Sequence, residues 1–328
     1  MDRLSAGHGA GGRLSSEIVS EILAAFGTEN LEQEDCAIPE KGMAITIDGY
    51  TVTPRTFPGG DIGKLAVCGS VNDLAMRGAE PKYLAMGLVA EEGLPKREML
   101  SYMESAGRVC ADLSIRLVAG DTKVVPKGQV DGLFITTCAV GTPRYGGGIL
   151  GTGRLQAGDA LLVTTSIGRH GAAVAASRYN LAAGSLTSDC AALWPLVKDI
   201  LDIPGLKCMR DCTRGGLGTV LCEWAEASSL GVVFEEPLLP LAPEVRSICD
   251  ILGFDPLYLA CEGCALIAVA DEDLERTLEC LHSHETAKDA SYIGNLTEEH
   301  AGYVGMKTEA GGMRLVDMPV GEILPRIC

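Results

Sequence analysis

Positive charge is in short supply. Against 44 Asp and Glu the chain sets only 27 Lys and Arg, a formal net charge of −17 over 328 residues. A field of that sign repels phosphate backbones and anionic lipid surfaces, so neither nucleic acid nor a membrane is an expected partner. Long apolar runs are missing as well. No stretch nears the roughly 18 residues that a membrane span requires, and Met1–Gly12 is polar and Gly-rich, without the apolar centre of a signal peptide. The absence of a fixed-period repeat or low-complexity tract excludes solenoids and linker-dominated architectures. A disulfide framework is not expected either: the 13 Cys are odd in number and scattered along a long chain, the pattern of reduced thiols. A cytoplasmic protein is the expectation. What is present is an ordinary globular composition, 47% hydrophobic and 22% charged, which buries a real core and excludes disorder; the length suggests two domains.

From Met43 to Val140 short apolar runs alternate with amphipathic stretches, the mark of a mixed α/β domain. Met43–Asp48, Leu84–Ala90, Ile115–Ala119 and Leu133–Val140 read as strands. Ile62, Leu65 and Ala66, then Met99, Met103, Ala106, Cys110 and Leu113, recur at three-to-four spacing and place two helices on the sheet. An earlier helix carries Ile18, Ile22 and Phe26. Gly146, Gly147, Gly148, Gly151 and Gly153 mark a loop or hinge.

Four regions result: residues 1–42, a Gly-rich segment and a helix; 43–150, an α/β domain; 151–316, a second α/β domain; and 317–328, a tail. In the second domain Ala160–Thr165 and Cys264–Ala270 read as strands. Gly171–Ser177, Asp189–Leu201, the run through Leu217, Val220, Leu221 and Trp224, and Asp271–His282 read as helices. The tail, with Pro319 and Pro325 and no periodicity, reads as an extended, mobile arm reaching on the order of 40 Å and ending in a thiol, Cys328.

Several familiar motifs fail on inspection. Gly7, Gly9 and Gly12 have dinucleotide spacing but no strand before them. Gly63-Lys64 lacks both the first Gly and the hydroxyl of a phosphate-binding P-loop. Cys328 is the last residue, not the fourth from the end that prenylation needs. Cys261 and Cys264 form a CxxC with Cys208 and Cys212 upstream, formally a zinc set, but Cys264 opens an apolar run where Cys is a common small core residue.

The signal that holds is acidic. Asp35, Asp48, Asp73 and Asp121 each sit where a strand or helix meets a loop or is interrupted. Singly each reads as a turn or cap residue. As a set they are candidate ligands of one hard cation, Mg2+ bridging triphosphate oxygens. Gly7–Gly12 and Thr213-Arg214-Gly215-Gly216, each leading into a helix, offer main-chain N–H groups to those oxygens, and Lys64 and Lys123 are candidates to add positive charge. The bland reading of Gly215-Gly216 is close helix packing.

Asp48-Gly49, Asn72-Asp73-Leu74-Ala75, Gly120-Asp121-Thr122, Asp211-Cys212-Thr213-Arg214-Gly215-Gly216 and Glu262-Gly263, in that order, resemble the ATP-binding superfamily of aminoimidazole ribonucleotide synthetase. Within it, Phe57–Lys64, Asp121–Val125 and the terminus Pro325-Arg326-Ile327-Cys328 resemble the HypE family of hydrogenase maturation proteins. The resemblance implies a two-domain α/β fold with mixed sheets, a dimer through the first domain's sheet, and ATP with Mg2+ held by Asp35, Asp48, Lys64, Asn72, Asp73, Asp121, Thr122, Asp211, Thr213, Gly215 and Gly216. It also implies that Cys328 receives a carbamoyl group from the carbamoyltransferase HypF, and that ATP-dependent dehydration converts it to a thiocyanate. The cyano group then passes to iron on a HypC–HypD complex, for the cyanide ligands of a nickel–iron hydrogenase.

Dehydration needs bases for two protons on nitrogen, and Glu262 and Lys123 are the candidates, with Lys123 otherwise a phosphate contact. His170, at a helix start, is a candidate contact of the arm or of phosphate, with a structural role at the helix start as the equal alternative. Cys212 departs from the family pattern, standing where Pro or another small residue is common. The rival readings are another enzyme of the superfamily, such as a selenophosphate synthetase or thiamine phosphate kinase, and a non-catalytic nucleotide- or zinc-binding scaffold.

Overall fold

The computed structural model describes residues 3–9, 13–28, 34–146, 148–319, 324 and 326–328. Gly12 of the first Gly-rich segment, Gly147 of the hinge and Pro325 of the tail lie outside the described residues. After a helix α1 (Arg13–Ala25), the first domain runs β1 (Ala37–Glu40), β2 (Met43–Tyr50), a small hairpin of β3 (Thr56–Phe57) and β4 (Gly60–Asp61), α2 (Ile62–Met76), β5 (Ala79–Glu91), α3 (Lys96–Asp112), β6 (Arg116–Val125) and β7 (Leu133–Pro143). Its sheet has the order β1-β2-β7-β5-β6, antiparallel except for β5–β6, which are joined by α3 and so run parallel.

The second domain runs β8 (Ala160–Val163), α4 (Arg169–Arg178), α5 (Trp194–Ile200), β9 (Leu206–Asp211), α6 (Gly216–Ser228), β10 (Gly231–Glu235), α7 (Pro243–Leu252), β11 (Ala265–Val269), α8 (Leu274–His282), β12 (Ser291–Thr297), β13 (Val304–Lys307) and β14 (Met313–Val316). Its seven strands lie in the order β14-β13-β10-β12-β8-β11-β9. The α/β class and the mixed sheets are as the sequence implied. Among the described residues no helix is long and apolar enough to cross a membrane.

Helix α2 ties the two halves together. Asp61 caps it, its Oδ1 accepting from the amides of Gly63 (2.8 Å) and Lys64 (3.0 Å), so the helix starts at a fixed point. Ile62, Leu65, Val67 and Leu74 lie in the core beneath the first sheet, while Ala75 and Met76 lie in a core with Leu193, Leu196 and Met209 of the second domain. A helix apolar on every side is thereby buried on every side. It carries Asn72 and Asp73 to the junction.

Some expectations are corrected. Asp189–Leu201 is helical only from Trp194, because the preceding residues hold neighbouring loops through their side chains and main chain. Asp121 does not follow a strand; it lies inside β6, a fully exposed edge strand whose polar run Gly-Asp-Thr-Lys meets solvent and so carries no apolar alternation. The described tail residues are docked, not free, with Leu324 and Ile327 buried in a core that the first domain shares with α4 and α7 of the second.

Two glycines report on α2–α3 packing with opposite sign. A Cβ on Gly63 would stand 1.9 Å from the Tyr102 carbonyl oxygen, whereas one on Gly107 would meet nothing within 4 Å. Gly63→Ala should therefore cost about 3 kcal/mol or more, and Gly107→Ala, in an exposed helix interior, should gain about 0.5–1 kcal/mol; thermal and urea unfolding of the two variants check this.

Candidate active site at the domain junction

A cavity of about 240 Å³ opens where the two domains meet. Six side-chain carboxylates line it, from Glu34, Asp35, Asp48, Asp73, Asp211 and Glu262, against two guanidinium groups, Arg210 and Arg214; Tyr50, Thr213 and Cys328 line it too. Period-two alternation brings Asp48 in: Ala44, Thr46 and Tyr50 of β2 are buried toward α2 while Ile47 between them is 70% exposed. Asp73 comes from α2, Asp211 ends β9, and Thr213 and Arg214 lead into α6.

Burial pushes the Asp73 carboxyl well above the ordinary carboxylate range, and the like charges of Asp48, Asp211 and Asp35 push it further, although the Thr46 hydroxyl donates to it at 2.6 Å. Asp211 is raised in the same way, by burial and then by Asp35. Burial also raises Asp35 to about 6 despite the Arg210 Nε at 3.1 Å. Asp211 Oδ2 and Glu262 Oε1 are buried and without a hydrogen-bond partner. Repelling, donor-poor carboxylate oxygens are what a hard divalent cation satisfies, so these residues fit Mg2+. No three His, Cys, Asp or Glu among the described residues converge tightly enough to hold an ion alone. The rest of its shell has to come from ligand oxygens or water.

Glu262 is held by its neighbours. The Asp189 carboxylate accepts from the amides of Glu262 (3.2 Å) and Gly263 (3.1 Å), and a Cβ at Gly263 would meet the Asp189 carbonyl oxygen at 1.9 Å. Burial raises Asp189 to about 7 and holds Glu262 well above the ordinary range, with Asp211 and Asp189 adding to the latter. Cys328 faces this carboxyl; burial and then the Glu262 charge lift its thiol above the usual thiol range, while Arg214 opposes. The tail is held by its main chain. Thr51 N donates to the Cys328 oxygen (2.9 Å), Thr53 N to that of Arg326 (3.1 Å), and the Arg326 Nε to Thr51 O (2.9 Å).

The sequence candidates divide. Asp35, Asp48, Asp73, Asp211, Thr213, Glu262 and Cys328 share the cavity. Asp121, Thr122 and Lys123 do not: they stand exposed on β6, with Lys123 paired to Asp121 at 2.6 Å. Asp48 pairs with Thr137, which pairs with Met86, which pairs with Gly120, so three strand spacings, about 14 Å, part Asp48 from the Asp121 strand. Within one chain, Asp121 therefore does not join the other three carboxylates, nor Lys123 join Glu262.

Lys64 bonds the Gly59 carbonyl at 3.0 Å outside the lining. Asn72 turns inward, donating to the carbonyls of Ala191 and Glu262 and accepting from Leu193 N. Gly215 and Gly216 have φ of +81° and +61°, and a Cβ on Gly216 would meet Leu257 O at 2.5 Å, so this pair does serve close packing.

Missed from the sequence were Arg210, Arg214, Glu34, Tyr50 and Asp189. Arg214 stood inside a quoted motif and Arg210 beside Asp211, but Asp189 has no local signal. Cys208, Cys212, Cys261 and Cys264 are all fully buried in the second domain's core, and among the described residues none belongs to a set able to hold a metal ion.

Residues 33–142 match the family described as AIR synthase related protein, N-terminal domain, and residues 156–307 match its C-terminal domain. The carbamoyl dehydratase HypE of Rhodobacter capsulatus is 42% identical over 336 residues, covering all of this chain and 98% of its own length. The chain belongs to the HypE family of carbamoyl dehydratases. Membership makes it an enzyme with a role in hydrogenase maturation. Among solved structures, HypE in a HypE–HypF complex superimposes with a TM-score of 0.88 at 38% identity, covering 94% of this chain and 100% of that one. A HypE in complex with ATP does so with 0.85 at 37%, covering 98% of each.

The charge crowding has a measurable sign. With Asp35 raised from 3.8 to about 6, the folded chain keeps a proton that the unfolded chain has lost, so this residue lowers stability as pH rises through that window. With divalent ions chelated, the melting temperature of the wild type relative to Asp35→Asn should fall between about pH 4 and 6 and level off above. A difference that rises with pH contradicts this assignment.

Proposed function

We propose that this enzyme carries a carbamoyl group on the Cys328 thiol and removes water from it with ATP, converting S–C(=O)–NH2 to S–C≡N, and then hands the cyano group to iron held by HypC–HypD. The observation that carries the reading is the placement of a terminal thiol and a buried, donor-poor carboxyl, Cys328 and Glu262, in one acidic cavity. An enzyme acting on a free small molecule has no need of its own C-terminus there.

The amide oxygen is a poor leaving group, and its attack on the γ-phosphorus of ATP turns it into phosphate. Asp48, Asp73 and Asp211 would hold Mg2+, whose positive charge would offset that of the transferring group. Arg214, which lines the cavity, adds positive charge beside the same oxygens. Glu262, made more basic by burial and by its acidic neighbours, takes one of the two protons that leave nitrogen, and the departing phosphate carries off the other. Asp35, paired with Arg210, and Thr213 border the nucleotide.

HypF is the donor that the tail must reach, as the relative solved with HypF suggests. A homodimer through the first sheet is supported by its uncovered apolar residues: Ile47, Leu117, Val118 and Val124 are exposed there, and a shallow groove runs past Asp121, Thr136 and Cys138. A second copy on that face is what brings Lys123 and Asp121 to a neighbour's cavity.

Mass spectrometry of the C-terminal peptide tests the chemistry. Cys328→Ala should form no carbamoyl adduct and still bind ATP. Glu262→Gln should accept the carbamoyl group and lose water roughly 10²–10⁴ times more slowly; dehydration at the normal rate would remove Glu262 as the base. Lys123→Ala and Cys328→Ala chains, each inactive alone, should regain dehydration when mixed as dimers if Lys123 serves the partner's site.

A further inference from the structure

We propose that His170 is a positioning residue that latches the C-terminal tail in the dehydration site, and that the loop at Ser188–Asp189 supports both this latch and Glu262. The inference rests on the Cys328 reading above and adds how that thiol is held.

His170 is fully buried, and both ring nitrogens are engaged: Nε2 lies 2.8 Å from the Ile327 carbonyl oxygen and Nδ1 2.8 Å from Ser188 Oγ. A carbonyl only accepts, so Nε2 carries the hydrogen and Nδ1 accepts from the Ser188 hydroxyl. Ser188 Oγ in turn accepts from Cys190 N at 3.0 Å. The tautomer is thus fixed by a chain of bonds ending on main chain, and burial keeps the ring neutral by drawing it down to about 4. Ile327 is the residue before the thiol. The carbonyls on either side are gripped as well, Arg326 O by Arg178 Nη2 of the same helix at 2.9 Å and Cys328 O by Thr51, and His170 of α4 supplies the grip on the carbonyl between them.

The support is shared. Ser188 N donates to Pro58 O at 2.8 Å, and a Cβ on Gly59 would strike Ser188 O at 2.8 Å, so the loop has little room to shift. The next residue, Asp189, binds the amides of Glu262 and Gly263. Thiol and base are therefore both referenced to two adjacent residues of one loop. A purely structural role for His170 is filling space, its ring lying edge-on to Phe57 at 5.0 Å. An apolar side chain fills that space; it does not donate to Ile327.

The experiment is alkylation of Cys328 by iodoacetamide in the full-length protein without ATP, followed by mass spectrometry of the C-terminal peptide. His170→Leu should expose Cys328 and speed alkylation on the order of tenfold, the loss of one buried hydrogen bond, while ATP affinity stays within about twofold. His170→Gln, which keeps a donor, should restore protection. Wild-type protection in His170→Leu overturns the latch, and so does a His170→Gln variant as reactive as His170→Leu. Should His170→Leu fail to fold, Ser188→Ala, which frees Nδ1, should raise alkylation in the same direction, and no rise overturns the proposal. Because the readout needs neither carbamoyl group nor ATP, it can fail while dehydration on Cys328 stands, and the reverse.

Discussion

Mutual repulsion among crowded carboxylates is the constraint around which this molecule is arranged. Six of them share a cavity with two guanidinium groups. Such an arrangement persists only if the backbone under each is held more firmly than the charges push apart. The holding is visible: Asp73 projects from a helix buried on all sides, Asp48 and Asp211 from strands, and Glu262 from a turn clamped by Asp189 and Asn72. What the frame leaves unmet is cationic charge at the carboxylates.

The same frame explains why both domains are needed for one site. Helix α2 belongs to the first sheet by most of its length and to the second domain by its last turn. Asn72, one residue before Asp73, bonds the main chain at 191, 193 and 262, so the position of the carboxylate and the seating of the second domain are set together. A substitution at Asn72 reaches the site through the main chain of Glu262, although the Asn72 side chain is not part of the lining.

Under the proposed function, carrying the reacting group on the chain's own tail changes the binding problem. A tethered thiol needs no affinity of its own, because attachment supplies a high effective concentration. It needs a dock that is definite yet reversible. A few main-chain hydrogen bonds, each worth about 1 kcal/mol net, together with the buried side chains of Leu324 and Ile327, meet both demands.

The α/β class, the two-domain division and most of the acidic set were legible in the sequence, because alternation and amphipathic spacing are local, and because Asp48, Asp73, Asp211 and Glu262 sit in short motifs whose order resembles a known family. Cys328 was legible as the end of one such motif. Other features were not. Strands β9 and β12–β14 mix polar residues or Gly into their runs and lack the unbroken apolar stretch that marks β8 and β11, and Asp189 and the Asn72 bonds join residues far apart in the chain. Asp121 and Lys123 looked like members of the site, and strand order alone puts three spacings between them and it. The sequence by itself determined which chemical groups the protein owns and which elements carry them. Only the tertiary structure decided which groups meet, since burial, repulsion and the grip of His170 on Ile327 arise between segments that local spacing cannot bring together.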